Sequence, residues 1–297
     1  MAGSAADRLV LALPLFHVHG LGVGLHGSLL AGGSVVLRRR FDADDVLASA
    51  REHDATLFFG VPTMYSRLAA ADDVAGLERL RLCVSGSAPL PGELFDRLVA
   101  AAGVRVLERY GMTETLMNVS NPYDGERRAG TVGIPLPGVD VRLDGDADHA
   151  EQGDILVRGP NVFPGYWRRP DATTEAFAAD GWFRTGDVGA FDPDGYLRIV
   201  GRSKELIISG GFNVYPREVE DVLLGHPGVV EVAVVGVPSD EWGEVVTAVV
   251  VADGPVAEAA LLEHAAAQLA PYKRPRRVRF VDALPRNALG KVLRHEL

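Results

Sequence analysis

Lys291 closes the stretch PRNALGK (Pro285–Lys291), a Pro/Asn/Gly turn that holds an ammonium away from the chain after a run of basic residues. An ammonium placed in this way can stabilise negative charge that develops beside it. Three further stretches put polar side chains on glycine-bent turns after apolar runs. VSGSAP (Val84–Pro89) exposes backbone groups at a strand's carboxyl end, where α/β sheets bind ligands. ERYGMTET (Glu108–Thr115) sets an aromatic (Tyr110), a hydroxyl (Thr113) and a carboxylate (Glu114) on one turn, able in that order to stack on a base, bond a phosphate and hold Mg2+. GWFRTGDVG places Asp187 between glycines, where a carboxylate can accept both hydroxyls of a ribose. Arg202 follows in YLRIVGRSKELIISGGFNVYPREVE and can donate to ribose or phosphate. Taken one at a time, each of these reads better as a polar surface turn.

Two other patterns point elsewhere. GVGLHG (Gly22–Gly27) satisfies the dinucleotide-binding spacing, and Asp42 lies about the right distance beyond it. Its glycines do not follow the first strand directly, since PLFHVHGL intervenes, so a nicotinamide-dependent oxidoreductase is the most distant reading. His17 and His19 in FHVH lack further ligands at metal-binding spacing and read as satisfied histidines at a strand end. The single cysteine, Cys83, sits in the strand-like LRLCVSG and reads as a buried core thiol, which suits a reducing cytoplasm.

These turns need a scaffold, and the hydrophobic pattern supplies one. Strand-like runs (LVLALPLF, GSVVLRR, ATLFFGV, LRLCVSG, VRVLERYG) alternate with helix-like runs (ADDVLASAREH, PTMYSRLAAA, PGELFDRLVAAAG) to about residue 120, as in an α/β layer architecture. From Gly130 the chain turns to short strands divided by Gly, Pro and Asp, a β-rich section that closes the first domain. Beyond Gly201 a smaller α+β unit is expected, with helices in REVEDVLLGHP and EAALLEHAAAQLA and strands in VVEVAVVGVP and VVTAVVVA. The expected domains are 1–201 and 202–297. A net charge of -10, from 30 basic and 40 acidic residues, disfavours nucleic acid and anionic membranes as partners. No run reaches the 18 or so apolar residues of a membrane span. The sequence therefore implies a cytoplasmic protein.

In their order along the chain the motifs carry more than they do singly. LPLFHVHG, GVPTMY, SGSAPL, ERYGMTET, TGD, GRSKELIISGGFNVYPREVE and PRNALGK together resemble the adenylate-forming acyl-CoA synthetases nearly end to end, and the surrounding text is similar to the malonyl-CoA synthetases of that family. The resemblance implies the large adenylate-forming domain, truncated at its front, followed by a small mobile C-terminal domain. It implies an AMP-forming ligase that joins an acid to ATP, releases pyrophosphate and passes the acyl group to CoA, with Mg2+ required. It places Gly86, Ser87, Ala88 and Pro89 at the adenine border, Tyr110 against the adenine, Thr113 on the phosphate and Glu114 beside Mg2+. Asp187 would take the ribose hydroxyls and Arg202 the ribose and phosphate. Lys291 would bridge the substrate carboxylate and the α-phosphate. Lys204 matches the hinge, and Ser209, Gly210 and Gly211 would face the pantetheine arm.

The acid is read from the helix in GVPTMYSRL. A guanidinium on its pocket side, Arg67, wants an anionic partner, and a second carboxylate on the substrate supplies one. Ser87 adds a hydrogen bond to that carboxylate. Malonate or methylmalonate is the expected dicarboxylic acid. The family's phosphate loop ending in Pro-Lys-Gly has no counterpart in these residues, because only thirteen precede Pro14 of LPLFHVHG. Without it the 297-residue chain is expected to be impaired, and its uncovered sheet to self-associate or to take a partner. The other function class left open is a non-catalytic nucleotide- or CoA-binding remnant.

Overall fold

The structure is a computed structural model and describes residues 3–144, 152–287 and 290–297. It falls into two compact units, Met1–Asp144 with Ile155–Thr185 and Ala190–Ile199, and Gly145–Asp154 with Gly186–Gly189 and Val200–Leu297.

The first unit opens with β1 (Arg8–Leu11), a π-helical segment His19–His26, α1 (Gly27–Leu30), β2 (Ser34–Leu37), α2 (Ala43–Glu52), β3 (Leu57–Gly60), α3 (Pro62–Leu68), β4 (Leu82–Ser85), α4 (Gly92–Ala102) and β5 (Leu107–Tyr110). These five strands are parallel in the order β2-β1-β3-β4-β5. The sheet is extended antiparallel by β6 (Val119–Ser120) and β7 (Ile134–Pro135). Parallel strands need crossovers, which cover the sheet on both faces, so the strands read as apolar runs without alternation. Thus β3 (LFFG) and β4 (LCVS) are buried throughout. One face, through Val10, Phe58, Cys83 and Val106, packs on α2, α3 and α4. The other, through Leu9, Leu11, Phe59 and Val84, packs on Val23 and Leu25 of the π-helical segment. Cys83 is 1% exposed, and burial pushes its thiol up to about 12.

Local chemistry sets the helix ends. Asp42 caps α2 by accepting from the amide of Asp45 at 3.0 Å, Pro62 occupies the first turn of α3, and Gly103 ends α4 with φ 64°. All six residues of GVGLHG lie in helical turns, the π-helical segment and the start of α1, and none is in a strand-to-helix turn. A four-stranded sheet follows, made by β8 (Asp140–Asp144), β9 (Gly153–Arg158), β10 (Phe183–Phe191) and β11 (Leu197–Arg202), with α5 (Pro170–Ala176) between β9 and β10.

The second unit contains β12 (Ile207–Ser209), β13 (Phe212–Val214), α6 (Pro216–Leu224), β14 (Val229–Ser239), β15 (Gly243–Ala252), α7 (Glu258–Gln268) and β16 (Arg277–Phe280). The sheet order is β13-β12-β15-β14, with β16 pairing parallel to β15. Alternate residues Val234, Val246, Ala248 and Val250 face α6 and α7, while Ala233 and Val249 face Leu284 and Val292 of the C-terminal segment. The architecture is α/β with a β-rich section and an α+β second unit, as the sequence pattern implies. Among the described residues no helix is long and apolar enough to cross a membrane.

Candidate active site

In a parallel sheet of order 2-1-3-4-5, ligands bind outside the strands' carboxyl ends at the β1/β3 switch point. Those ends carry the motifs. β4 runs into Gly86–Pro89, β5 into Gly111–Thr115 and β3 into GVPTMY, while the segment after β1 leads to His17 and His19.

Ser87 has φ 69°, a left-handed conformation that costs a non-glycine residue roughly 1–3 kcal/mol and collects at ligand-binding turns. Its hydroxyl lies 3.2 Å from Nδ1 of His19, across the sheet end. His19 is 4% exposed, and its Nε2 is buried with no hydrogen-bond partner among the described residues. Burial first, and then the charges of Arg109 and His17, lower its pKa from 6.5 to about 3. The structure thus half-satisfies a histidine for which the sequence implied full satisfaction. Neither histidine belongs to a group of three or more metal-type ligands among the described residues.

Arg109, on the same face of β5 as Leu107, is 7% exposed and lies over the ring of Phe59 at 5.0 Å. Its Nε and Nη2 are buried without partners among the described residues. Burial lowers its pKa to about 10, so it stays cationic at neutral pH. A buried cation with open donors costs several kcal/mol unless an anion completes it. Arg67, by contrast, is exposed on α3, and no described group pairs with it.

His19 also makes the fold acid-sensitive. It stays neutral in the fold down to about pH 3, whereas in the unfolded chain it takes a proton near 6.5. Between those values the unfolded chain binds the extra proton, so stability falls as pH falls, by at most on the order of 5 kcal/mol across the window. We expect His19→Leu to flatten the loss of stability between pH 6.5 and 4 in denaturant titrations; an unchanged slope would place the acid sensitivity elsewhere.

The turn after β5 is tight. A Cβ on Gly111 would come within 1.8 Å of the carbonyl oxygen of Leu116. Tyr110 is half-buried at the strand end, Thr113 is exposed, and Glu114 is half-buried with Oε1 accepting from the hydroxyl of Tyr166 at 3.0 Å. These donors are all oxygen, which suits a hard cation carried in by phosphates better than an all-protein cage.

Within the second unit, Arg202 Nε meets Asp187 Oδ1 at 2.8 Å, with Asp187 only 4% exposed. Lys291 shares their electrostatic neighbourhood. Its surface is largely open, yet crowding desolvates the ammonium and, with the charge of Arg202, lowers its pKa, while Glu205 and Asp187 pull the other way. The backbone of Lys291 is fixed by Asn287, whose Oδ1 accepts its N–H at 3.0 Å. Lys204 lies exposed in the 3-10 turn Ser203–Glu205. Gly210 and Gly211 form the two-residue turn between β12 and β13 with φ of 58° and 81°, the left-handed pair such a hairpin demands. Gly210 also lies so close to Trp242 that a Cβ would meet the ring at 2.9 Å.

Residues 1–167 match the family model of the AMP-binding enzymes, and residues 218–291 match the AMP-binding enzyme C-terminal domain. The chain belongs to the AMP-binding enzyme family. It is 44% identical over 302 residues to a feruloyl-CoA synthase from an Amycolatopsis species, an alignment taking in 98% of this chain and 61% of that protein. It is 47% identical to ATP-bound MatB from Rhodopseudomonas palustris, with a TM-score of 0.94 over 99% of this chain and 60% of that one. A malonyl-CoA ligase, solved as a ternary product complex with methylmalonyl-CoA and AMP, is 52% identical, with a TM-score of 0.64 over 95% of this chain and 64% of that one. This chain therefore spans less than two thirds of the length of each of these relatives.

In this AMP-binding enzyme the structure brings Ser87 to His19 and Asp187 to Arg202, and it leaves Arg67 at the surface. Sequence reasoning missed Arg109 and the contact from Tyr166. Arg109 gave no signal, since Arg105, Glu108 and Arg109 make VRVLERYG read as a half-polar strand. Tyr166 lies fifty-two positions from Glu114 and gave no local signal.

Proposed function

We propose that this chain is the adenylate-binding and C-terminal portion of an AMP-forming acid–CoA ligase whose acid is a small dicarboxylate, malonate or methylmalonate. The observation that carries the substrate class is Arg109. Its two open donors, beside the unpartnered Nε2 of His19 and the strained Ser87, offer a buried cation and neutral polar groups to one carboxylate. A monocarboxylic acid would leave that cation unanswered. Forked pairing to a carboxylate is what a guanidinium does best. Arg67 serves at the pocket entrance in this reading.

The second carboxylate is the one that reacts. Gly86, Ser87, Ala88 and Pro89 border the adenine, Tyr110 lies against it, and Asp187 and Arg202 hold the ribose. Thr113 donates to the α-phosphate and Glu114 orients the phosphate-borne Mg2+, which when bound neutralises phosphate charge. The carboxylate and the triphosphate repel as they approach, and the ammonium of Lys291 between them stabilises the charge on the transferring phosphoryl group. For thioester formation a turn about Lys204 withdraws Lys291 and presents Ser209, Gly210 and Gly211 to the pantetheine of CoA. Glycine at 210 and 211 lets that arm approach the backbone closely.

No Gly/Ser/Thr-rich loop ending in Pro-Lys-Gly occurs in the 297 residues. Such a loop cradles the outer phosphates with its backbone amides. We therefore expect the 297-residue chain alone to release pyrophosphate with malonate and ATP at least 100-fold more slowly than a form extended to include that loop. Calorimetry should still register AMP. Robust malonate-dependent pyrophosphate release from the purified chain would refute this expectation.

A further inference from the structure

The segment Gly159–Trp167, GPNVFPGYW, lies outside every motif discussed above, yet it grips the turn that carries Thr113 and Glu114. The amide of Phe163 donates to the carbonyl oxygen of Glu114 at 2.8 Å. The side-chain amide of Asn161 donates to the carbonyl oxygens of Thr115 at 2.8 Å and Met117 at 3.1 Å. The hydroxyl of Tyr166 donates to Glu114 Oε1 at 3.0 Å. One segment thus holds Glu114 at both its backbone and its carboxylate.

Tyr166 is itself held. Its ring meets that of Phe163 edge-on at 4.8 Å, and Phe163 belongs to an aromatic group with Phe177 and Phe183. Its amide donates to Thr173 Oγ1 at 2.9 Å. Gly165 makes that approach possible, since it has φ 145° and a Cβ there would lie 2.6 Å from Thr173 Cγ2. A carboxylate with one oxygen engaged by a fixed phenol presents its other oxygen in one direction. We propose that Tyr166 is the positioning residue for Glu114, setting which carboxylate oxygen is offered to the divalent cation that accompanies the nucleotide. This rests on the reading of Glu114 as the Mg2+-orienting carboxylate. Partners of this kind around a metal ligand change metal affinity by about 10–100-fold when lost.

The test uses the full 297-residue chain and measures binding of Mn2+ in the presence of ATP by electron paramagnetic resonance, alongside calorimetry of AMP without metal. Tyr166→Phe keeps the ring packing and removes only the hydroxyl. We expect it to weaken Mn2+ about 10-fold and to leave AMP within about twofold. Gly165→Ala, which displaces Tyr166 through Thr173, should reproduce the effect, so a shift in position is separated from the loss of one hydroxyl. Unchanged Mn2+ affinity in Tyr166→Phe overturns the proposal, as does an equal loss of AMP and Mn2+. Glu114→Gln separates the two readings: if it too leaves Mn2+ untouched, the metal role of Glu114 fails, and the role of Tyr166 with it.

Discussion

Lys291→Ala should abolish most adenylate formation and spare the second half-reaction. In a form of the enzyme extended to carry a phosphate loop, we expect malonate-dependent pyrophosphate release to fall at least about 100-fold, the scale for removing one preorganised charge from a transition state. CoA acylation from preformed malonyl-adenylate should stay within about threefold, because in that step the anions have already been joined and the ammonium has no developing charge to meet. The structure supports the asymmetry. Lys291 sits on a turn fixed by Asn287, beside Arg202 and Asp187, so its removal leaves the Asp187–Arg202 pair in place. Its lowered pKa reflects a desolvated ammonium, which interacts more strongly with an incoming anion than one fully in water. A lysine that served only to hold the tail would reduce both half-reactions alike. Equal loss in both, or unchanged pyrophosphate release, would remove Lys291 from the chemistry.

The elements that carry these residues were legible because each is specified locally. The strand-like runs ATLFFGV and LRLCVSG hold β3 and β4, and the helix-like runs ADDVLASAREH and PTMYSRLAAA hold α2 and α3, where the pattern puts them. The glycine turns could be read as turns, and the positive φ values at Gly210 and Gly211 explain why glycine suits both positions. What the pattern could not yield is anything fixed across the sheet. GVGLHG has the spacing of a nucleotide-binding turn, but its surroundings fold it into helical turns. Arg109 reads in isolation as the polar half of an alternating strand. It becomes a buried cation only because Phe59 and the π-helical segment cover that face. Arg67 shows the reverse, since a guanidinium at the expected helix position ends at the surface. The hold of Gly159–Trp167 on Glu114 depends on contacts between residues roughly fifty positions apart, for which periodicity carries no information.

Arg109→Leu should move stability and recognition in opposite directions. Replacing a buried unpaired cation by an apolar side chain of similar reach removes a desolvation penalty, and exchanges of buried charged groups for apolar ones have stabilised proteins by about 1–4 kcal/mol. At the lower end, for a chain of this size, that corresponds to a rise in Tm of about 2–4 °C. Malonate recognition should collapse in the same variant. Losing one member of a desolvated charge pair costs about 2–5 kcal/mol, or roughly 30-fold to several thousandfold in affinity. A monocarboxylic acid of similar size, with no second charge to place, should lose little and could gain from the apolar floor that Leu and Phe59 would share. The comparison of malonate with propionate in isothermal titration, together with a thermal melt, reads all three expectations from one preparation. Arg67→Leu supplies the contrast: an exposed arginine leaves Tm unchanged, and its effect on malonate measures what the pocket entrance adds. If Arg109→Leu lowered Tm and left malonate binding intact, the guanidinium would be a packing element of the sheet face, and the dicarboxylate assignment would lose its footing.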